Sequence, residues 1–240
     1  MTGTIMYSRW ARYYDALYAF KDYPADTARL TALFRRFHPQ ARTLLDVACG
    51  TGQHLRHLRR TFDVEGVDAN NEFLDIVRDH SPELPVHCAR MECLDLGKRY
   101  DVVTCLSSSI GFVRTPEALQ RTIDNFVRHL NPGGLLVIEP WFSRENFWTG
   151  RINALYVDQP ELKIALMYTT AIEDGLAVLA NQMLVGTPEG IETLHEDHVL
   201  GLFSSGEYIA AIGNAGLEVI LSTGPEQSWK RGLHVARLDG

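Results

Sequence analysis

Ligand chemistry in this chain gathers first around one stretch, Leu44-Leu45-Asp46-Val47-Ala48-Cys49-Gly50-Thr51-Gly52. An apolar run with an acid near its end breaks into two closely spaced glycines, and a helix-like stretch from Gln53 to Arg60 follows. That pattern is a strand, a tight turn and a helix. Glycine lacks a Cβ, so a ligand can approach the backbone closely at Gly50 and Gly52. The turn also aims helix N-terminal N–H groups at whatever lies above the strand. The next apolar run, Phe62-Asp63-Val64-Glu65-Gly66-Val67-Asp68, ends in a second acid. A carboxylate at the tip of a second parallel strand can accept both hydroxyls of a ribose. Capture of a nucleoside-bearing small molecule is the chemistry these residues suggest. Two versions of it fail. A dinucleotide fingerprint needs a third glycine where this chain has Leu55, which disfavours a dehydrogenase, and a phosphate-cradling loop needs a Lys-Ser/Thr pair that does not follow the glycines.

A second cluster, His195-Glu196-Asp197-His198, has the residue types of a metal site. Its surroundings read as a strand, so His195 and Asp197 face one way and Glu196 and His198 the other. Four ligands cannot converge from this segment, and no metal is expected; one of these residues should face a pocket and the others solvent. The cysteines Cys49, Cys88, Cys93 and Cys105 form no Cys-x-x-Cys pair. They are expected to be buried, reduced thiols of a cytoplasmic protein.

The elements that must position these groups alternate between strand and helix. Aromatic residues crowd Met6 to Phe20, with Trp10, Tyr13 or Tyr14, Leu17 and Tyr18 at helical spacing; Tyr23-Pro24 should end this element, and a second helix should run from about Asp26 to His38. Residues 1–40 therefore read as an N-terminal helical lid. Helix 70–80, a short strand at Pro85–Cys88 and a fourth strand at Tyr100–Leu106 follow strand two. Ser107 to Phe112 then lies at the carboxyl edge, where open α/β sheets bind ligands. Thr115-Pro116-Glu117 opens a helix that Asn131-Pro132-Gly133-Gly134 should stop, and Leu135–Glu139 reads as strand five. Residues 150–203 change pattern to extended runs separated by turns, an antiparallel meander inserted as an accessory sheet. A helix opened by Ser204, with Tyr208, Ile209 and Ile212 inward, precedes two closing strands, Leu217–Ser222 and Gly232–Leu238. At 240 residues with a formal net charge of −7, the chain suits one globular domain and makes nucleic acid an improbable partner. No run is long enough for a membrane span, and no signal peptide is apparent at Met1-Thr2-Gly3-Thr4.

D-x-A-x-G-x-G after a strand, the acid at Asp68 and helix–NPGG–strand together resemble class I S-adenosylmethionine-dependent methyltransferases. That resemblance implies an α/β, Rossmann-like seven-stranded sheet with helices on both faces. At finer grain, Tyr-Tyr-Asp-Ala-Leu-Tyr (13–18), Lys-Asp-Tyr (21–23), the glycine stretch (44–58), VTCLSSSIG (103–111), EPWFSRENF (139–147) and Arg-Gly-Leu (231–233) resemble the N,N-dimethyltransferases of dTDP-linked 3-amino sugars. Carried over residue by residue, the resemblance implies that Tyr14, Ala48, Gly50 and Asp68 hold S-adenosylmethionine, with Asp46 and Gly52 in the same motif. Met91 would flank the adenine and Leu106 the methionine portion. Tyr7 would stand near the methyl group, Tyr23 would line the sugar site and Arg231 would meet the diphosphate. Two departures stand out. Arg90 replaces an adenine-binding acid, so Glu92 or a backbone carbonyl must serve instead. Phe112 and Ser107 replace a histidine and an aromatic at the acceptor end.

The implied reaction is in-line methyl transfer to a neutral amine, favoured by alignment and exclusion of water. Tyr7, Trp141 and Phe142 are candidates for an aromatic wall around cationic groups. Tyr7 or His198 would guide away the acceptor's proton. A rival reading keeps the methyltransferase and changes the acceptor to another small natural product, at nitrogen or oxygen; a less favoured one is a cofactor-binding module without catalysis. Pairing of two copies through the accessory sheet is compatible with the sequence.

Overall fold

The computed structural model describes residues 10–224 and 231–240; Tyr7 lies outside them. Two sheets form. The larger comprises β1 (Thr43–Val47), β2 (Asp63–Asp68), β3 (Val86–Cys88), β4 (Tyr100–Cys105), β5 (Leu130–Ile138), β10 (Leu217–Thr223) and β11 (Leu233–Leu238), in the order β10-β11-β5-β4-β1-β2-β3. Strands β1 to β5 are parallel and β11 runs antiparallel to both β5 and β10. The smaller sheet is the antiparallel meander β6 (Ile152–Gln159), β7 (Leu162–Glu173), β8 (Leu176–Thr187) and β9 (Gly190–Leu200).

Alternation along the central strands divides the core. Leu44, Val64, Val102 and Leu135 face α2 (Tyr23–Phe37), α3 (Gln53–Leu58) and α4 (Asn71–His80), through Leu30, Phe34, Leu55, Leu58, Leu74 and Val77. The next residues in register, Leu45, Val103 and Leu136, face α5 (Pro116–Arg128) and α6 (Ser205–Asn214). Central parallel strands are buried on both faces, which is why β1 and β4 read as near-continuous apolar runs. Helix starts follow their caps: Thr115 accepts from Ala118 N–H, and Ser204 and Glu207 form a reciprocal capping box. Among the described residues no helix is long and apolar enough to cross a membrane.

Several expectations are corrected. The N-terminal aromatic stretch gives a 3₁₀ turn at Ala11–Tyr13 and a single turn α1 (Tyr14–Leu17), where a longer helix was expected. Pro24 opens α2 instead of closing what precedes it: Asp22 caps the helix and Pro occupies its first turn, where a missing N–H costs nothing. The Asn-Pro-Gly-Gly segment lies inside β5 as an irregularity, with Gly133 at φ +76° and a register shift between Tyr100 and Val102. Cys49 and Cys105 are buried, but Cys88 and Cys93 are exposed. Ile209 is also exposed, because only Tyr208, Ala211 and Ile212 share the inward stripe of α6.

The sheet's lower edge is tied by Asp101. Its carboxylate accepts N–H bonds from Arg42 and Thr43 at 2.7 and 3.0 Å and the Asn131 side-chain amide at 2.8 Å. These donors hold the Asp101 carboxyl below its usual range despite partial burial. Asp101→Ala should lower unfolding free energy by about 2 kcal/mol in urea titrations at pH 7, since two backbone donors lose a charged partner. A depressed folded pKa gives stability that is present above the unfolded value and lost as pH falls. The difference between wild type and variant should therefore shrink below about pH 4.

Candidate active site

The loop after β1 is fixed by β2. Cys49 N–H donates to Val67 O at 3.0 Å. Gly50 N–H donates to Asp68 Oδ2 at 2.8 Å, and Asn70 N–H donates to Asp68 Oδ1 at 2.8 Å. Burial pushes the Asp68 carboxyl up, and the N–H groups of Asn70, Gly50 and Ala69 oppose that shift. Asp46, one strand over, is pushed up to about 7 by burial; Thr104 Oγ1 donates to its Oδ1 at 2.7 Å. Ala48, Gly50 and Gly52 all adopt positive φ, at 61°, 56° and 74°. No atom lies within 4 Å of where a Cβ on Gly50 would stand, so the backbone there is open to a ligand. A Cβ on Gly52 would stand 3.0 Å from Val77, so Gly52 serves the packing of α3 against α4. The N-terminal segment clasps the same loop: Asp15 accepts from Thr51 Oγ1 at 2.5 Å and Gln53 Nε2 at 2.7 Å.

Two cavities meet above this edge. The first, about 370 Å³, is lined by Tyr14, Ala48, Gly50, Asp68, Met91 and Glu92, and extends to Ala118 and Arg121 of α5. The chemistry of its lining fits an adenosyl group: a carboxylate at the strand tip for hydroxyls, Met91 and Ala118 for a base, and Glu92 as an acceptor paired to Arg90 at 3.0 Å. The second, about 650 Å³, is lined by Phe112, Glu139, Trp141, His198 and Arg231. Tyr14, Ser107 and Phe112 line both, so they mark the junction. A small third space of about 30 Å³ holds Asp46, Leu106 and Tyr23 beside Ala48 and Gly50. Gly52 lines none of the three. Tyr23 borders the small space and stands edge-on to His54, 5.0 Å between ring centres; His54 lines the second cavity as well, and Lys21 Nζ, also of that cavity, lies 5.8 Å from the Tyr23 ring centre.

Charge at the junction is organised by Ser107 and Ser108, both at positive φ (52° and 61°), a conformation uncommon for residues with a Cβ and concentrated at functional sites. Ser107 N–H donates to Glu139 Oε2 at 2.7 Å, and Lys21 Nζ donates to Ser107 Oγ at 3.1 Å. Arg231 Nη1 donates to Ser108 Oγ at 2.9 Å while its guanidinium lies 4.5 Å from the Trp141 ring centre and 4.8 Å from that of Phe142. These two rings thus support the arginine. Burial raises the Glu139 carboxyl; Arg231 and Lys21 oppose the rise. Burial also holds His54 neutral, its pKa lowered to about 3.

On β9 the expected alternation holds: His195 and Asp197 are exposed, whereas Glu196 and His198 turn inward and pair with each other. Sequence reasoning assigned no role to Asp15, Lys21 or Glu139, although all three sit in stretches it had singled out. Their partners, Thr51 for Asp15 and Ser107 for both Lys21 and Glu139, lie far along the chain and come together only through the fold.

A family model described as a methyltransferase domain matches residues 44–134. The dTDP-4-amino-2,3,4,6-tetradeoxy-D-glucose N,N-dimethyltransferase of Saccharopolyspora spinosa is 33% identical over 98% of this chain and 94% of its own length. The crystal structure of DesVI from Streptomyces venezuelae superposes with a TM-score of 0.88 at 33% identity, covering 96% of this chain and 98% of DesVI. CalS10 from Micromonospora echinaspora, an amino pentose methyltransferase solved with S-adenosylmethionine bound, superposes with a TM-score of 0.83 at 29% identity, covering 99% of each chain. With the class I methyltransferase fold, the paired cavities and this end-to-end similarity in place, the chain belongs to the methyltransferase family that contains the dTDP-amino-sugar N,N-dimethyltransferases.

Proposed function

We propose that this methyltransferase takes its methyl group from S-adenosylmethionine and delivers it to the amine of a nucleotide-linked amino sugar. The observation that carries the reading is the meeting of the two cavities at Tyr14, Ser107 and Phe112, one ending on Asp68 and the other bounded by Arg231. In the first cavity Asp68 accepts the ribose hydroxyls, its carboxylate held by Gly50 and Asn70. Met91 flanks the base, Glu92 accepts from its amino group, and Leu106 lies beside the methionine portion. Bound there, the donor supplies an electrophilic methyl group on a sulfonium. In the second cavity Arg231, held between Ser108 and the Trp141 and Phe142 rings, offers two-pronged hydrogen bonding to a diphosphate.

The chain's own part is alignment. Tyr14 belongs to the N-terminal segment that Asp15 clamps onto the glycine loop, so donor site and lid are one unit. Positioning and exclusion of water supply most of the acceleration when the transferred group is already activated. CalS10 was solved with S-adenosylmethionine, which supports the donor; the named activity of the S. spinosa relative supports the acceptor class. Phe112 at the junction gives a second reading, a different small amine or hydroxyl acceptor.

Asp68→Ala should weaken S-adenosylmethionine binding by roughly 10- to 100-fold in titration calorimetry, with an unchanged circular dichroism spectrum; unchanged affinity would mean the donor lies elsewhere. dTDP should bind the wild-type protein, and Arg231→Ala should weaken it by about tenfold or more, with a steeper salt dependence in wild type than in the variant. Normal donor binding without any dTDP binding would remove nucleotide-linked sugars and pass the question to a mass-spectrometric screen of other amines and hydroxyls.

A further inference from the structure

Three carboxylic acids line the second cavity: Asp22, Asp26 and Glu139. Two of them are committed to the fold. Asp22 accepts Ala25 N–H at 3.0 Å and so caps α2. Asp26 pairs with Arg29, three residues on along the same helix. Glu139 is placed differently. It follows the last residue of β5, and its own N–H donates to Cys105 O at 2.9 Å, which carries the pairing with β4 one residue past the strand. The next residue is Pro140, whose carbonyl accepts from Ser108 Oγ at 2.7 Å. A backbone held on both sides thus carries this acid at the carboxyl edge of the sheet, where open α/β folds bind ligands.

Glu139 Oε2 accepts Ser107 N–H at 2.7 Å. Ser107 lines all three spaces, so this oxygen lies one hydrogen bond from the place where they meet. Among the described residues, that amide is the carboxylate's one hydrogen-bond donor, and no cation stands within ion-pairing distance of it. A carboxylate offers about four acceptor sites, so most of its capacity is left for a ligand or solvent. Burial raises the Glu139 carboxyl, and Arg231 and Lys21 oppose the rise through their charge. The other titratable groups of the cavity bring it no negative charge. Lys21, Arg29 and Arg231 are cations, and His54 is held neutral by burial with Lys21 adding to the effect. His198 pairs with Glu196, and the remaining groups are the phenols Tyr14, Tyr18 and Tyr168.

We propose that Glu139 selects an amine over a hydroxyl in the acceptor. A charge-assisted hydrogen bond from the acceptor's ammonium group to the Glu139 carboxylate holds the nitrogen beside Ser107, at the junction. The inference rests on the reading of the second cavity as the acceptor site and deepens it. A hydroxyl in the same place could donate a hydrogen bond but would bring no counter-charge to the acid, and that difference is the basis of the selection.

Titration calorimetry in the presence of S-adenosylhomocysteine tests this without turnover. The probes are dTDP, dTDP-6-deoxyglucose and the 3-amino and 4-amino analogues of that sugar. Near neutral pH the wild type should bind one of the amino analogues about tenfold or more tighter than the hydroxyl sugar. The preference should fade in alkaline buffer, where the amine is neutral. Glu139→Gln keeps an oxygen for Ser107 N–H and removes the charge. It should lose the preference while its affinities for dTDP and S-adenosylhomocysteine stay those of the wild type. Glu139→Asp keeps the charge on a shorter arm and should retain part of the preference. A carboxylate that serves only to offset Lys21 and Arg231 gives the reverse pattern: tighter dTDP binding in Glu139→Gln and an unchanged preference for the amine. That result overturns the proposal, and so does a wild type that binds dTDP yet takes the amino and hydroxyl sugars equally well. A wild type that binds no dTDP overturns the nucleotide-linked reading, and the assignment of Glu139 falls with it.

Discussion

One carboxylate couples the parts of this molecule. Asp68 is the last residue of β2, yet its oxygens accept the amides of Gly50, in the loop after β1, and Asn70, the cap of α4. A buried acid held by backbone N–H groups of two separate turns cannot shift without breaking both. It therefore sets the relative placement of the loop, the second strand and the helix that follows. Burial and hydrogen bonding act in opposite directions on its charge, which leaves an acceptor poised for hydroxyl donors at the carboxyl edge of the sheet. Burial on the neighbouring strand pushes the Asp46 carboxyl up to about 7, and Thr104 donates to it. Two acids at adjacent strand tips thus have different work: Asp46 braces the interior and Asp68 faces the cavity.

The second cavity is built around a further constraint, the strained pair Ser107 and Ser108. Their left-handed backbones turn one amide toward Glu139 and present two hydroxyls to Lys21 and Arg231. Left-handed conformations cost on the order of 1 kcal/mol or more for residues with a Cβ, and the Ser107 amide–Glu139 bond and the Ser108 hydroxyl bonds to Pro140 and Arg231 offset them. The result is a compact array of alternating charge between the two cavities. The N-terminal segment is tied into it from three directions: by Lys21 to Ser107, by Asp15 to the glycine loop, and by Trp10 to Glu196 of the accessory sheet.

Local features were legible in the sequence. The apolar runs of β1, β2 and β4, the glycine loop, the caps at Thr115 and Ser204, and the alternation that separates His195 and Asp197 from Glu196 and His198 are all short-range consequences of residue type. Positions whose conformation depends on distant partners were not. Asp22 outcompeted the breaking tendency of Pro24 by capping α2, and pairing with Tyr100 drew Asn131-Pro132-Gly133-Gly134 into β5. At the site, the acids and glycines at the carboxyl edge of β1 and β2 follow from spacing. Lys21, Glu139 and Asp15 could not be assigned, because their partners lie 86, 32 and 36 residues away along the chain. The Tyr23–His54 contact, made by packing α2 against α3, was hidden for the same reason.

In the proposed arrangement a nucleoside resting on Asp68 meets an acceptor held by Arg231 across Tyr14 and Ser107. A crystal structure of the protein with S-adenosylhomocysteine and dTDP tests it most directly. The account predicts ribose hydroxyls within hydrogen-bond distance of both Asp68 oxygens, sulfur at the junction of the cavities, and the dTDP diphosphate on Arg231. A nucleoside bound away from Asp68, or a diphosphate seated elsewhere than the second cavity, would contradict it.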